Sequence, residues 1–297
     1  MSGTAYPLFV DDQRTLLADY AGNVFVWDVD KTYLSTHFSS VRGLLRIPIE
    51  FAVDKRAIPG MPEVLRGLRY GPGAHYACVP LYFLTASPRQ LHRVLAHKMM
   101  LDGVEHDGII FKDWTKAVLG LRPGRLREQV GFKLAALLTT RARRPNAVEY
   151  LFGDDTEADA EAFYLYAEIL SGRLKAEEQD RAMAQAGVAA DDRACVAALV
   201  RQLPPHPKGS VGRAFIHLEQ HTPPSFFDKY RGLVTPVAGA FQLALCLFDL
   251  DLVAARTVVE CGRATAAANP SWDREAQLTD ARERGLVSAS KLEALGR

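Results

Sequence analysis

The chain has 297 residues, with 36 basic against 35 acidic side chains and a formal net charge of +1. That length buries a substantial core, as one large α/β domain with additions or as two small domains, and the even charge argues against a strong non-specific nucleic-acid binder. Four cysteines (Cys78, Cys195, Cys246 and Cys261) stand far apart with no Cys-x-x-Cys pair, which reads as reduced thiols and argues against a disulfide framework or a zinc site.

The first residues lack a basic region followed by an apolar one, so no secretory signal is expected and a cytoplasmic location is. Residues 5–10 form a candidate strand, and Asp11-Asp12 begins a polar, solvated turn. Val24-Phe25-Val26-Trp27 is an apolar run that predicts a short buried strand, and it ends at Asp28-Val29-Asp30-Lys31-Thr32. At a strand end the chain turns, so both carboxylates can converge on the rim of a sheet, where open α/β folds bind ligands. Two clustered carboxylates repel each other unless a cation or a proton lies between them. Residues 33–54 carry no helical period and suit a flap over that rim.

After Pro59-Gly60-Met61-Pro62, the spacing of Val64, Leu65 and Leu68 predicts an amphipathic helix over 62–70, stopped by Gly71-Pro72-Gly73. A second buried strand is expected at 79–84, ending in Thr85-Ala86-Ser87-Pro88, then a helix over 89–100. His92 and His97 in that helix are five apart, off the spacing of a helical metal pair, and read as solvated or partly packed. A third strand at 108–111 ends in Lys112-Asp113-Trp114, with Trp114 read as a packed core edge. It is followed by the basic stretch Leu121-Arg122-Pro123-Gly124-Arg125 and a helix over 131–140 that opens with Phe132-Lys133. Arg141, Arg143 and Arg144 read as a solvated basic face. A fourth strand at 148–152 ends in Gly153-Asp154-Asp155-Thr156-Glu157-Ala158-Asp159 and leads into a helix with Phe163, Tyr164, Tyr166 and Ile169.

Residues 175–202 read as one or two helices inserted before a fifth strand at 214–218, with the section ended by Pro204, Pro205 and Pro207. The most apolar stretch, 234–250, is interrupted by Pro236, Gln242 and Asp249, so it reads as buried helix and no transmembrane segment is expected. A helix or helix pair is expected over 239–259, and a charged helical tail docks through Leu278, Leu286, Leu292 and Leu295. Short apolar strands alternating with helices predict an α/β fold, a parallel sheet with helices on both faces.

Polar groups then stand at four element ends in a fixed order: Asp28 and Asp30, then Thr85, then Lys133, then Asp154 and Asp155 with Asp159. Over residues 24–174 that order resembles the four-motif signature of the haloacid dehalogenase-like (HAD) phosphohydrolase superfamily. More narrowly, four segments resemble the catalytic domain of the actin-patch phosphatidate phosphatases and their bacterial relatives. They are Pro59-Gly60-Met61-Pro62-Glu63, Thr85-Ala86-Ser87-Pro88-Arg89-Gln90-Leu91, Phe111-Lys112-Asp113-Trp114 and the 153–159 run. The chain departs from that family at Lys31, where an acidic residue is common, and its C-terminal third has no counterpart there.

The resemblance implies a Rossmann-like, HAD-type sheet over residues 1–232, with a short cap, a helical insertion around 175–210 and a C-terminal helical extension over 233–297. It implies magnesium held by Asp28, the main-chain carbonyl of Asp30 and Asp154, with Asp155 or Asp159 adding a ligand or holding a metal-bound water. Asp28 would be the nucleophile that forms an aspartyl-phosphate, and Asp30 the acid and base. Thr85 or Ser87 would bind a phosphoryl oxygen, and Lys133, or else Lys112 or Lys116, would neutralise charge. Asp159 is also placed to cap the helix after it, and Arg89 to reach a second phosphate or a carboxylate, or to form a surface salt bridge. The implied activity is magnesium-dependent hydrolysis of a phosphomonoester, with a short cap suiting a bulky one such as a phosphatidate. The alternatives are phosphoryl transfer to another acceptor, a nucleic-acid end phosphatase, and a catalytically inactive binding or scaffold module on the same fold.

Overall fold

The structure is a computed structural model that describes residues 6–17, 19–35, 56–113, 129–204 and 209–296. Its strands are β1 (Leu8–Asp12), β2 (Asn23–Asp28), β3 (Leu81–Pro88), β4 (Gly108–Lys112), β5 (Val148–Asp154), β6 (Ser210–His217) and β7 (Val234–Val237). They form one sheet in the order β1-β4-β3-β2-β5-β6-β7, parallel throughout except for the β1 edge, which runs antiparallel to β4.

β2 is the central strand. Val24 and Val26 face one side of the sheet and Phe25 and Trp27 the other, all four at most 1% exposed. A strand covered on both faces has no polar alternation, which is why it reads as an unbroken apolar run. The chain moves outward from β2 through β3 to β4, then returns to the other side of β2 with β5, β6 and β7. The carboxyl ends of β2 and β5 therefore flank the point where the winding direction reverses, and such a crevice is open to a ligand.

The helices are α1 (Met61–Tyr70), α2 (His92–Leu101), α3 (Gln129–Arg141), α4 (Asp159–Leu170), α5 (Ala176–Gln185), α6 (Ala190–Gln202), α7 (Ala240–Asp249), α8 (Ala255–Ala268), α9 (Arg274–Glu283) and α10 (Ala289–Leu295). On the Phe25 and Trp27 face, α1, α2, α7, α8 and α9 close one apolar cluster. On the Val24 and Val26 face, α3 to α6 close the other. This is a Rossmann-like α/β fold. The tail leucines Leu278, Leu286, Leu292 and Leu295 pack against the first cluster, and no helix among the described residues is long and apolar enough to cross a membrane.

Several expectations change. Asp11 and Asp12 belong to β1, where they reach His92 and Arg143, both at 2.7 Å, rather than forming a solvated turn. β3 begins two residues later than expected and runs on through Thr85 and Ser87 to Pro88, with a register break against β4 in that stretch. β7 takes the start of the stretch at 234–250 expected as buried helix; a four-residue strand containing Pro236 carries too little pattern to be seen. Arg141 and Arg144 are buried at 0% and 3% exposure, so only Arg143 of that run is solvated. Trp114, Lys116, the basic stretch at 121–125, Pro205, Pro207 and most of the flap at 33–54 lie outside the described residues.

Candidate active site

β2 delivers Asp28 to the rim at 1% exposure. The chain then turns tightly. Lys31 takes a positive φ of 59°, its N–H donates to Leu34 O at 2.7 Å, and Tyr33 and Leu34 both donate to Val29 O. A left-handed φ at a non-glycine residue persists only where its surroundings hold it. His217, at the end of β6, does so by donating Nδ1–H to Lys31 O at 3.0 Å. Tyr33 adds a second tie through its hydroxyl to Asp102. The turn directs Asp30 toward β3, where Thr85 Oγ1 and Ser87 Oγ donate to Asp30 Oδ2 at 3.0 and 3.2 Å.

Lys133 enters from the first turns of α3 and is completely buried. Its ammonium meets three carboxylates: Asp28 Oδ1 at 3.3 Å, Glu157 Oε2 at 2.9 Å and Asp159 Oδ1. Asp159 Oδ2 accepts from the main-chain N–H of Asp154 at 3.0 Å. That contact requires Gly153, because a Cβ there would lie 2.4 Å from the same oxygen. Asp154 Oδ1 accepts from Thr156, through its main-chain N–H at 2.6 Å and its hydroxyl.

Burial and crowding raise the proton affinity of Asp28, Asp30, Asp154 and Asp159. Asp28 lies well above the ordinary carboxylate range, chiefly through burial, against the lowering charge of Lys133 and with Asp159, Glu157 and Asp154 adding to the rise. Burial and then Glu157 bring Asp30 up to about 6, against the hydrogen bonds from Thr85 and Ser87. Asp159 rises to about 7, again chiefly by burial and against Lys133. Asp154 also rises by burial. For Lys133 burial acts downward, but Asp159, Asp28 and Glu157 outweigh it and hold its pKa well above the usual lysine range.

Asp28 Oδ2 and Asp154 Oδ2 are both buried with no hydrogen-bond partner. Buried carboxylate oxygens without donors are costly, and here they are the ends of β2 and β5. An all-oxygen acidic set with one buried ammonium among four carboxylates fits a hard divalent cation such as magnesium. Oxygens of Asp28, Glu157 and Asp159 also lie within 4.8 Å of one another.

Of the residues expected at the site, Asp28, Lys133 and Asp159 meet directly, Asp154 joins them through its main chain, and Asp30, Thr85 and Ser87 form an adjoining group. Asp159 does not cap α4; its carboxylate turns to Lys133 and Asp154. Asp155 stands apart. Its two oxygens accept from Gln220 N at 2.8 Å and Thr222 N at 3.1 Å, so it secures the loop after β6. Lys112 is buried with its ammonium 5.9 Å from the Phe132 ring, and Arg89 lies over Phe9. Two site residues were missed. Glu157 lies inside the acidic run with no role assigned to it, and His217 lies inside the strand expected at 214–218, one residue from its end, while the observed β6 ends on it.

No curated protein matches the chain. The solved structure of DsGPDH of Dunaliella salina aligns over 83% of this chain and 51% of its own, at 12% identity and a TM-score of 0.31. This chain thus spans about half the length of that one, and the likeness is too loose to bear on fold or function. The catalytic-domain family of phosphatidate phosphatase APP1 matches residues 24–176, which is more than half of the chain and takes in Asp28, Asp30, Thr85, Lys133, Asp154, Glu157 and Asp159. The chain therefore belongs to the family of the phosphatidate phosphatase APP1 catalytic domain, a family of phosphatases.

Proposed function

We propose that the protein is a magnesium-dependent, HAD-type phosphomonoester hydrolase that works through an aspartyl-phosphate on Asp28. The observation that carries this reading is the pair of unpartnered carboxylate oxygens, Asp28 Oδ2 and Asp154 Oδ2, beside a fully buried Lys133 at the switch point of the sheet. Asp28, the main-chain carbonyl of Asp30 and Asp154 would hold the cation. When bound it supplies the positive charge that lets a carboxylate approach an anionic phosphoryl group.

One carboxylate oxygen of Asp28 attacks phosphorus in line with the leaving oxygen. Lys133 places a full positive charge next to the attacking carboxylate and offsets charge that grows on the phosphoryl oxygens. Asp30 protonates the leaving oxygen, and its pKa of about 6 suits a group that must give a proton and then take one from the water that opens the intermediate. Thr85 and Ser87 hold Asp30 in the orientation for both transfers. The family description supports phosphatidate as the ester.

The test is phosphate release from phosphatidate and from a panel of phosphomonoesters, with and without magnesium, for wild type beside Asp28→Asn. Release should require magnesium and fall at least about a thousandfold in the variant, while circular dichroism stays unchanged. Appreciable turnover by folded Asp28→Asn would remove Asp28 as nucleophile.

A further inference from the structure

An ammonium has three hydrogens to donate, and that of Lys133 is already ringed by three carboxylates of this chain: it donates to Glu157 and Asp159 and pairs with Asp28 Oδ1 at 3.3 Å. If Lys133 is to contact a phosphoryl oxygen, one of these partners must leave. Asp28 is the nucleophile and ends a buried strand. Asp159 is 0% exposed, its second oxygen holds Asp154 N, and Gly153 closes on it. Glu157 alone is free to move. Its side chain is 24% exposed, it rides on the 155–158 turn between β5 and α4, and among the described residues its other oxygen meets only a long 3.4 Å contact from Gln129 Nε2.

Resting on the phosphatase reading above, we propose that Glu157 is a carboxylate placeholder for the substrate's phosphoryl group, occupying one donor of Lys133 until that group displaces it. Exchange of one anion for another keeps Lys133 charged and oriented throughout. It also makes entry depend on an anion strong enough to compete, which favours a phosphate monoester dianion over a carboxylate or a diester. The apparent affinity for phosphate is then reduced by the fraction of time the placeholder is in position.

The experiment is calorimetric titration of the full chain with inorganic phosphate, and separately with magnesium, for wild type, Glu157→Gln and Glu157→Ala, with steady-state hydrolysis alongside. Both variants should bind phosphate about tenfold more tightly. KM should fall in step, and the magnesium dissociation constant should stay within about twofold. Unchanged or weaker phosphate binding by the variants, with wild type still hydrolysing ester, overturns the placeholder alone. Lost magnesium affinity with unchanged phosphate affinity overturns it in favour of Glu157 as a cation ligand. A wild type that neither binds phosphate nor cleaves any ester overturns the phosphatase reading as well.

Discussion

Asp30 shows how the fold tunes a single side chain. Its carboxylate accepts two hydroxyl hydrogen bonds from β3, yet burial and Glu157 still bring it up to about 6. A raised carboxylate pKa means that the folded protein binds a proton more readily than the unfolded chain, whose carboxylates titrate near 4. Between pH ~4 and ~6 for Asp30, and up to ~7 for Asp159, metal-free stability therefore falls as pH rises, since the ionised forms are the ones the site disfavours. Asp30→Asn should flatten that decline by about 2 kcal/mol across the window. Urea melts of both proteins in chelator at pH 4.5, 6 and 7.5 measure the difference, and parallel curves would show that Asp30 does not titrate there. Asp28, Asp30 and Asp154 stand out as candidates by their positions at element ends, and Lys133 does so only beside Lys112 and Lys116. Glu157 does not, because its role depends on Lys133, which is 24 residues away in sequence and next to it only in space.

At the scale of an element, the end of α3 shows why a charge run is hard to read. Arg141 and Arg144 turn inward onto Glu149 of β5, at 3.3 and 3.0 Å, and Tyr166 of α4 donates to the same carboxylate at 2.5 Å. Arg144 also stacks on Tyr82 at 4.2 Å, and Arg141 donates to Ala147 O at 2.9 Å. Arg143, one position away, is 54% exposed at the side chain and pairs with Asp12. Removing one member of a buried charge network strands the others without solvent. Glu149→Gln should cost about 3–5 kcal/mol, against at most about 1 kcal/mol for Arg143→Ala. Denaturant titration separates the two, and equal small losses would mean that the arginines find water instead. The basic run looked solvated because its partner is a single glutamate in a different element, fully covered only once β5 is paired on both sides.

Across the whole molecule, the C-terminal helices complete the cover of the sheet. α8 docks onto α1 so closely that a Cβ on Gly67 would stand 2.3 Å from Thr257 Cγ2, and one on Gly60 would meet Cys261 Sγ at 2.7 Å. Gly67→Ala gains helix propensity, but the forced separation of two packed helices outweighs it, for a net loss of about 1–3 kcal/mol. Thr257→Ala in the same chain should recover part of that loss, because the two sites share one contact. Thermal melts of the singles and the double test this, and a fully additive double mutant would show that the helices part freely.

Composition, the apolar runs and the polar groups at their ends were enough to determine the α/β class and most of the strands and helices, and to mark Asp28, Asp30 and Asp154 as candidate site residues, with Lys133 named beside Lys112 and Lys116. These are local signals: strand burial and element punctuation are written within a few neighbouring residues. The tertiary structure decided which carboxylates share Lys133, that Asp155 leaves the cluster to hold the loop after β6, that His217 fixes the turn carrying Asp30, and that two of three adjacent arginines are buried. Each of those outcomes depends on a partner from another element, and a charged side chain is buried or solvated, engaged or available, according to what the fold places opposite it.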